Sequence, residues 1–151
     1  MVYHMINMRG KVEAVCIGKI KTQPKKEQPV IYLKPGTGVV GDAHAGTEKE
    51  VSLLASEDVE KFSRETGIKA PPGSFAENID TRGISLVDLA PGTRLTIGET
   101  EIEIIAIGKD SSLPHTYSYK GYSLLPTRGV FARVIRGGKI RKGDLISSSG
   151  S

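Results

Sequence analysis

Short apolar runs recur along the chain, each broken by glycine, proline or charge. Lys11 to Ile17 sets Val12, Ala14, Val15, Cys16 and Ile17 in a partly alternating, strand-like run. Pro29 to Leu33 and Val51 to Leu54 are short apolar strands, and Gly83 to Leu86 reads as an edge segment. Arg94 to Ile97 and Thr100 to Ile107, joined through Gly98-Glu99, form the clearest hairpin. In its second arm Ile102, Ile104 and Ala106 share one face and Ile105 and Ile107 the other, so both faces are expected to be covered, as in a barrel wall under a helix. Val130 to Ile135 is a further strand, followed by turns at Gly137-Gly138 and Arg141 to Asp144 and a last apolar pair, Leu145 and Ile146.

One segment has helical spacing. Ser56 is a suitable N-cap, Glu57, Asp58 and Glu60 put negative charge in the first turn, Val59 and Phe62 share a face, and Gly67 is a stop. Lys19 to Gln28, polar and basic, reads as an exposed loop or hairpin. Lys109 to Thr127 has no clean period and is long for a connection, which makes it a candidate functional loop. Together these elements predict a mostly β domain, a closed or nearly closed β-barrel with one or two short covering helices, because closure removes exposed strand edges. The domain is expected from 11 to 147, with a loose start over 1 to 10 and a disordered polar tail over 148 to 151.

Composition narrows the function classes. A hydrophobic share of 38% and a charged share of 25% describe a soluble globular chain, and no apolar run is long enough to span a bilayer. The first ten residues hold no apolar signal core, so the expected location is the cytoplasm and no membrane partner is expected. Cys16 is the single cysteine, which excludes an intramolecular disulfide and a cysteine-based metal cluster. Set among aliphatic residues, it reads as an inert core thiol. A net charge of +4 permits an anionic small molecule, while 5% aromatic residues without tryptophan leave little for a base-stacking platform, and no nucleic-acid partner is expected.

The candidate chemistry centres on Gly41-Asp42-Ala43-His44-Ala45-Gly46. If this run is extended, Asp42 and His44 point to one side, and Gly41 and Gly46 let the backbone turn or approach a ligand. The competing reading is that Asp42 caps its own backbone. One acid and one imidazole are too few for a closed zinc site, and no metal ligand set is assigned. Glu77 and Asn78 either line a pocket shared with Asp42 and His44, or serve the backbone, with Glu77 capping or pairing with Arg82. Lys109, His115, Arg128 and Arg133 offer positive charge to a phosphate-like group, or form a solvated basic surface. Tyr117, Tyr119 and Tyr122 either pack against a flat ring or pin down their own loop.

A series of short pieces resembles the MOSC domain, the family named for the C-terminal part of molybdenum-cofactor sulfurase. The pieces are the 41–46 run, Val51-Ser52-Leu53-Leu54, Pro72 to Ile79, Thr81-Arg82-Gly83-Ile84, Leu95 to Gly98, Ile107-Gly108-Lys109, Arg128 to Val134, Gly137 to Ile140 and Gly143-Asp144. Their order and spacing carry the resemblance. It implies a barrel of many short strands and a role in the molybdenum-cofactor and sulfur-transfer sphere. The expected ligand is a molybdenum cofactor or a molybdopterin-like, anionic pterin–phosphate. Alternatives within the family are molybdenum-dependent reduction of N-hydroxylated compounds, with Asp42 and His44 as an acid–base unit, and docking on a separate sulfurase that binds pyridoxal phosphate or on a molybdoenzyme. Whether the chain is an enzyme is left open. The family carries a cysteine between the Gly-Lys pair and the Gly-Val-Phe-Ala-Arg-Val strand. Here Lys109 to Arg128 holds none, and Ser123 stands about where that cysteine falls. A hydroxyl cannot hold a persulfide, so the chain is expected to bind without carrying sulfur itself.

Overall fold

The computed structural model describes residues 9–21, 23–47, 49–108 and 117–148. In chain order the strands are β1 (Arg9–Ile17), β2 (Lys26–Gln28), β3 (Ile31–Lys34), β4 (Gly38–Val39), β5 (Val51–Ala55), β6 (Ile79–Arg82), β7 (Arg94–Ile97), β8 (Thr100–Ile107), β9 (Val130–Arg136), β10 (Gly138–Ile140) and β11 (Leu145–Ser148). The helices are α1 (Ser56–Thr66) and α2 (Leu125–Arg128). Seven strands close a ring in the order β1, β6, β5, β9, β8, β7, β11, and β11 returns to β1. The β5–β6 pairing is parallel and the other ring pairings are antiparallel. The predicted closed barrel is therefore the fold observed. β2 pairs with the far end of β1 outside the ring, and β10, β3 and β4 form a separate small sheet.

Each ring strand sends an aliphatic side chain inward: Val12, Leu53, Ile79, Leu95, Ile102, Val130 and Ile146 all belong to one buried cluster. Burial of such side chains is the main favourable term in the fold. Outside the wall, α1 and α2 cover a second apolar cluster of Leu54, Phe62, Phe75, Leu125 and Phe131. β1 carries a bulge between Val12 and Ala14. The extra residue puts both Val12 and Val15 in the barrel core, while Ala14 and Cys16 fall outside that cluster. This break in alternation sets up the outer polar layer described below.

Several element boundaries differ from the sequence-based expectation. Ser56 is not the N-cap but the first helical residue; Ala55 precedes the helix in extended conformation, and no side chain caps it. The helix runs directly out of β5, so the hydroxyl enters the first turn, where Glu57 and Asp58 meet the helix dipole. Gly67 is the stop, left-handed at φ 73°, with its N–H on Ser63 O. Gly83 to Leu86 is not a strand and leads into a single 3-10 turn at Leu86–Asp88. A second bulge, between Ile104 and Ala106, breaks the alternation of β8 and leaves Ile105 44% exposed, so the outer face is uncovered there. Arg9 pairs with Ser147 and Ser148 with Leu95, drawing the end of the expected loose start and the first residue of the expected tail into the ring. Backbone pairing needs no apolar side chain, and so left no periodic signal.

Candidate functional site

The 41–46 run is a turn, not an extended segment. His44 N–H donates to Asp42 Oδ2 at 3.1 Å, so Asp42 does cap its own backbone. Gly41 adopts φ +85°, a left-handed conformation that glycine takes without strain, and the space where its Cβ would stand is open. The same carboxylate also reaches across the molecule. Gly18 N–H donates to Asp42 Oδ1 at 3.1 Å, and Lys25 Nζ donates to Asp42 Oδ2 at 2.9 Å.

Lys25 is the residue that sequence reasoning missed. The 19–28 segment reads as an exposed basic loop, yet Lys25 is only 3% exposed. Nothing local separates it from Lys19, Lys21 and Lys26; burial follows from where β2 docks on β1. Its Nζ also lies 3.2 Å from His44 Nδ1. An ammonium offers only donors, so Nδ1 accepts and the ring proton resides on Nε2. The His44 Nδ1–Asp42 Oδ2 separation of 3.6 Å is too long to compete. The His44 side chain is 24% exposed, against 1% for Lys25 and 0% for Asp42, so the imidazole is the solvent-facing member.

Burial shapes the charges. It works to raise the Asp42 carboxyl, but the neighbouring His44 and the Lys25 ammonium more than reverse this and hold it well below the usual carboxylate range. Burial lowers Lys25 from its ordinary value, opposed by Asp42 and then by Glu77. Asp42 is thus a fixed anion at neutral pH, a positioning group more than a proton shuttle.

A tight turn over 71–77 backs this cluster. Lys25 N–H donates to Gly73 O at 2.8 Å, and a Cβ on Gly73 would stand 2.2 Å from Lys25 O, which only glycine avoids. Glu77 accepts from Gly73 N–H at 2.9 Å and Phe75 N–H at 3.0 Å, the capping role; Arg82 pairs instead with Glu13 and Glu60. Asn78 accepts from Ser52 N–H and donates to Cys16 O, both at 3.1 Å, tying three strands together. Cys16 is fully buried, and burial, reinforced by Asp80, pushes its thiol far up. It is an inert core residue, as expected.

The late segment meets the early motif through the same turn. Tyr117 Oη donates to Ser74 O, Tyr119 Oη donates to Lys69 O at 3.1 Å, and the Tyr119 ring packs edge-on against Phe75. Tyr122 packs likewise on Phe62, so these tyrosines hold their own loop down. Ser123 is exposed, and its hydroxyl donates to Tyr117 O at 3.2 Å. Contacts therefore run from His44 through Lys25, the 71–77 turn and Tyr117 to Ser123. Arg128 and Arg133 are not part of this group. They pair on the surface with Asp58 at 3.1 Å and with Glu103 at 2.7 Å. Lys109 and His115 lie outside the described residues.

A basin of about 470 Å³ borders the cluster. Gly41 and Gly18, the two backbone neighbours of Asp42, form part of its wall, with Lys19 and Lys26 for charge and Ile17 and Ile20 for apolar surface. Among the described residues no three His, Cys, Asp or Glu side chains are placed to hold a metal ion.

The MOSC domain profile matches residues 40–107, from the Asp42 turn through the Glu77-Asn78 turn to the end of β8. Over this stretch the chain is similar to the MOSC family. Solved structures agree in fold with this chain. YuaD of Bacillus subtilis superposes with a TM-score of 0.74 at 18% identity, covering 93% of this chain and 95% of that one. YiiM of Geobacillus stearothermophilus gives 0.71 at 18% identity, covering 93% and 75%, and YiiM of Escherichia coli gives 0.65 at 20%, covering 95% and 71%. At such identities the likeness is one of fold. No curated protein matches the sequence.

Proposed function

We propose that this chain, similar to the MOSC family over residues 40–107, binds an anionic, ring-bearing small molecule of the molybdenum-cofactor kind, a pterin–phosphate, in the basin beside Gly41, without holding sulfur itself. The observation that carries this reading is the basin's position. About 470 Å³ of space with two lysines and an apolar floor is walled by Gly18 and Gly41, the first hydrogen-bonded to and the second adjoining Asp42 of the buried Lys25–Asp42 pair. Such a pair keeps the Gly18 and Gly41 backbone rigid, and a rigid wall lowers the ordering cost of binding. Lys19 and Lys26 supply charge for a phosphate, and Ile17 and Ile20 supply surface for a ring.

The described residues fit the organic, anionic part of such a group. They offer no thiolate to its metal end, since Cys16, the single cysteine, is sealed in the core and Ser123 stands about where the family cysteine falls. A molybdenum centre, when bound, supplies two-electron redox chemistry; the residues of this chain bind and orient.

Calorimetric titration of the purified protein with a pterin monophosphate, and separately with molybdate, tests the reading. The pterin–phosphate is expected to bind, with Lys26→Ala weakening it about tenfold, the scale of one charge-assisted hydrogen bond. Absence of binding by both compounds, or a Lys26→Ala protein indistinguishable from wild type, would overturn it.

A further inference from the structure

We propose, resting on the pterin–phosphate reading of the basin, that its ligand runs on over Gly41 onto the outer face of the small β10–β3–β4 sheet. The ligand is then a dinucleotide, the pterin–phosphate joined through a diphosphate to a nucleoside whose base stacks on Tyr32.

The starting point is a strip of exposed apolar surface. Six large apolar side chains stand exposed among the described residues, and three of them, Ile20, Tyr32 and Val40, lie in or beside the basin. Ile20 lines the basin together with Gly41. Val40 directly precedes Gly41, and its N–H donates to Tyr32 O at 2.9 Å, which carries the β3–β4 ladder one pair beyond Leu33 and Val39. Tyr32 and Val40 are therefore cross-strand neighbours on the solvent face, while Ile31, Leu33 and Val39 turn into the core. Single exposed apolar side chains are ordinary, but contiguous ones mark a binding surface. Consecutive Cα atoms stand about 3.8 Å apart and paired ones about 5 Å, so the Tyr32 backbone lies within about 9 Å of the basin wall at Gly41.

The surroundings of this strip specify what would lie on it. Gly41 is a low sill between basin and sheet face, since nothing stands within 4 Å of the place its Cβ would occupy. Lys139 opposes Tyr32 from β10, and Lys34 follows two residues on along the same face; both are exposed, and neither makes an ion pair among the described residues. Gly38, opposite Lys34, puts no side chain beside the ring. Glu99 takes the Lys139 backbone N–H at 2.9 Å, on the sheet edge away from Val40. With Lys19 and Lys26 in the basin, ammonium groups stand on both sides of the sill, which suits a diphosphate crossing it. An exposed phenol ring set among lysines suits a nucleoside base, because stacking on an aromatic face accepts any base. A protein partner fits less well, because three apolar side chains are little beside the roughly 800 Å² that each partner buries in a stable interface.

Calorimetric titration of the full chain with three compounds tests this: a pterin monophosphate, the corresponding diphosphate, and its guanosine dinucleotide. The diphosphate controls for added charge without a second ring. The dinucleotide is expected to bind about tenfold tighter than the diphosphate, the lower part of the range for stacking a base on an aromatic side chain. Tyr32→Ala should remove that increment and leave the monophosphate affinity unchanged, while Tyr32→Phe, which keeps the ring, should retain it. In an amide-resolved NMR titration, shifts at Tyr32, Lys34 and Val40 should appear with the dinucleotide and not with the monophosphate. If the monophosphate binds but the dinucleotide is no tighter than the diphosphate, or Tyr32→Ala keeps the increment, the extension is wrong and the basin reading stands. If none of the three compounds binds, the basin reading falls and the extension with it.

Discussion

Asp42 and Asp80 are both buried aspartates, and their surroundings drive them in opposite directions. Asp42 receives an ammonium and backbone N–H groups from Gly18 and His44, and is held ionised well below the usual range. Asp80 faces carboxylates instead, has an oxygen without a partner, and is pushed well above that range. Depth of burial therefore does not decide ionisation; the partners do. The pair also separates two kinds of site. Around Asp42 the protein has completed its own interactions and offers a rigid wall with one exposed imidazole edge. Around Asp80 the protein crowds one carboxyl against another, Glu77, and encloses an oxygen that receives no hydrogen bond.

The largest test of this contrast is Lys25→Met. It leaves the Asp42 charge buried without its ammonium, and should cost about 3–5 kcal/mol in denaturant unfolding. A loss below about 1 kcal/mol would mean that water reaches Asp42, and the contrast would fall.

The pH dependence of stability sharpens the comparison further. The folded Asp42 carboxyl is lowered, so its contribution is present above the ordinary aspartate value of about 3.9 and fades as pH falls below it. Asp80 is raised, so the folded chain keeps a proton that the unfolded chain releases, and stability drops as pH rises from about 3.9 toward neutrality. Asp80→Asn, which cannot titrate, should flatten that decline and raise the unfolding midpoint at neutral pH relative to acid. Asp42→Asn should act at the acid end. Identical pH profiles for the two variants would erase the distinction.

The smallest expected effect is at Arg133. Its pairing with Glu103 is exposed and solvent-screened, so Arg133→Ala should leave the unfolding midpoint and the pterin–phosphate affinity unchanged. A clear loss of affinity would return Arg133 to the binding site, where its positive charge alone first suggested it.

What could be read from the order of residues differs from element to element. The hairpin of β7 and β8 and the stop at Gly67 carry strong local codes, a Gly-Glu turn between apolar runs and a glycine able to turn left-handed. The Asp42–His44 turn was visible as chemistry, though not in its shape, because an aspartate between glycines serves a turn as readily as a strand. The ring closure of Arg9 with Ser147 was invisible, because it is made by backbone groups of polar residues.

By itself the chain of residues determined a β-barrel with a covering helix, an inert core thiol, a glycine-rich acid–imidazole motif and the want of a family cysteine. Each is encoded within a few neighbours or by composition. Only the tertiary structure decided that Lys25, one lysine among several in a basic stretch, is buried against Asp42 and His44, and that Asp80 is enclosed beside Glu77 with its Oδ2 unpartnered. Burial of a charge depends on which strands pack over it, and the bulge and pairings of β1 with β2 and β6 place those groups from 17 and more residues apart.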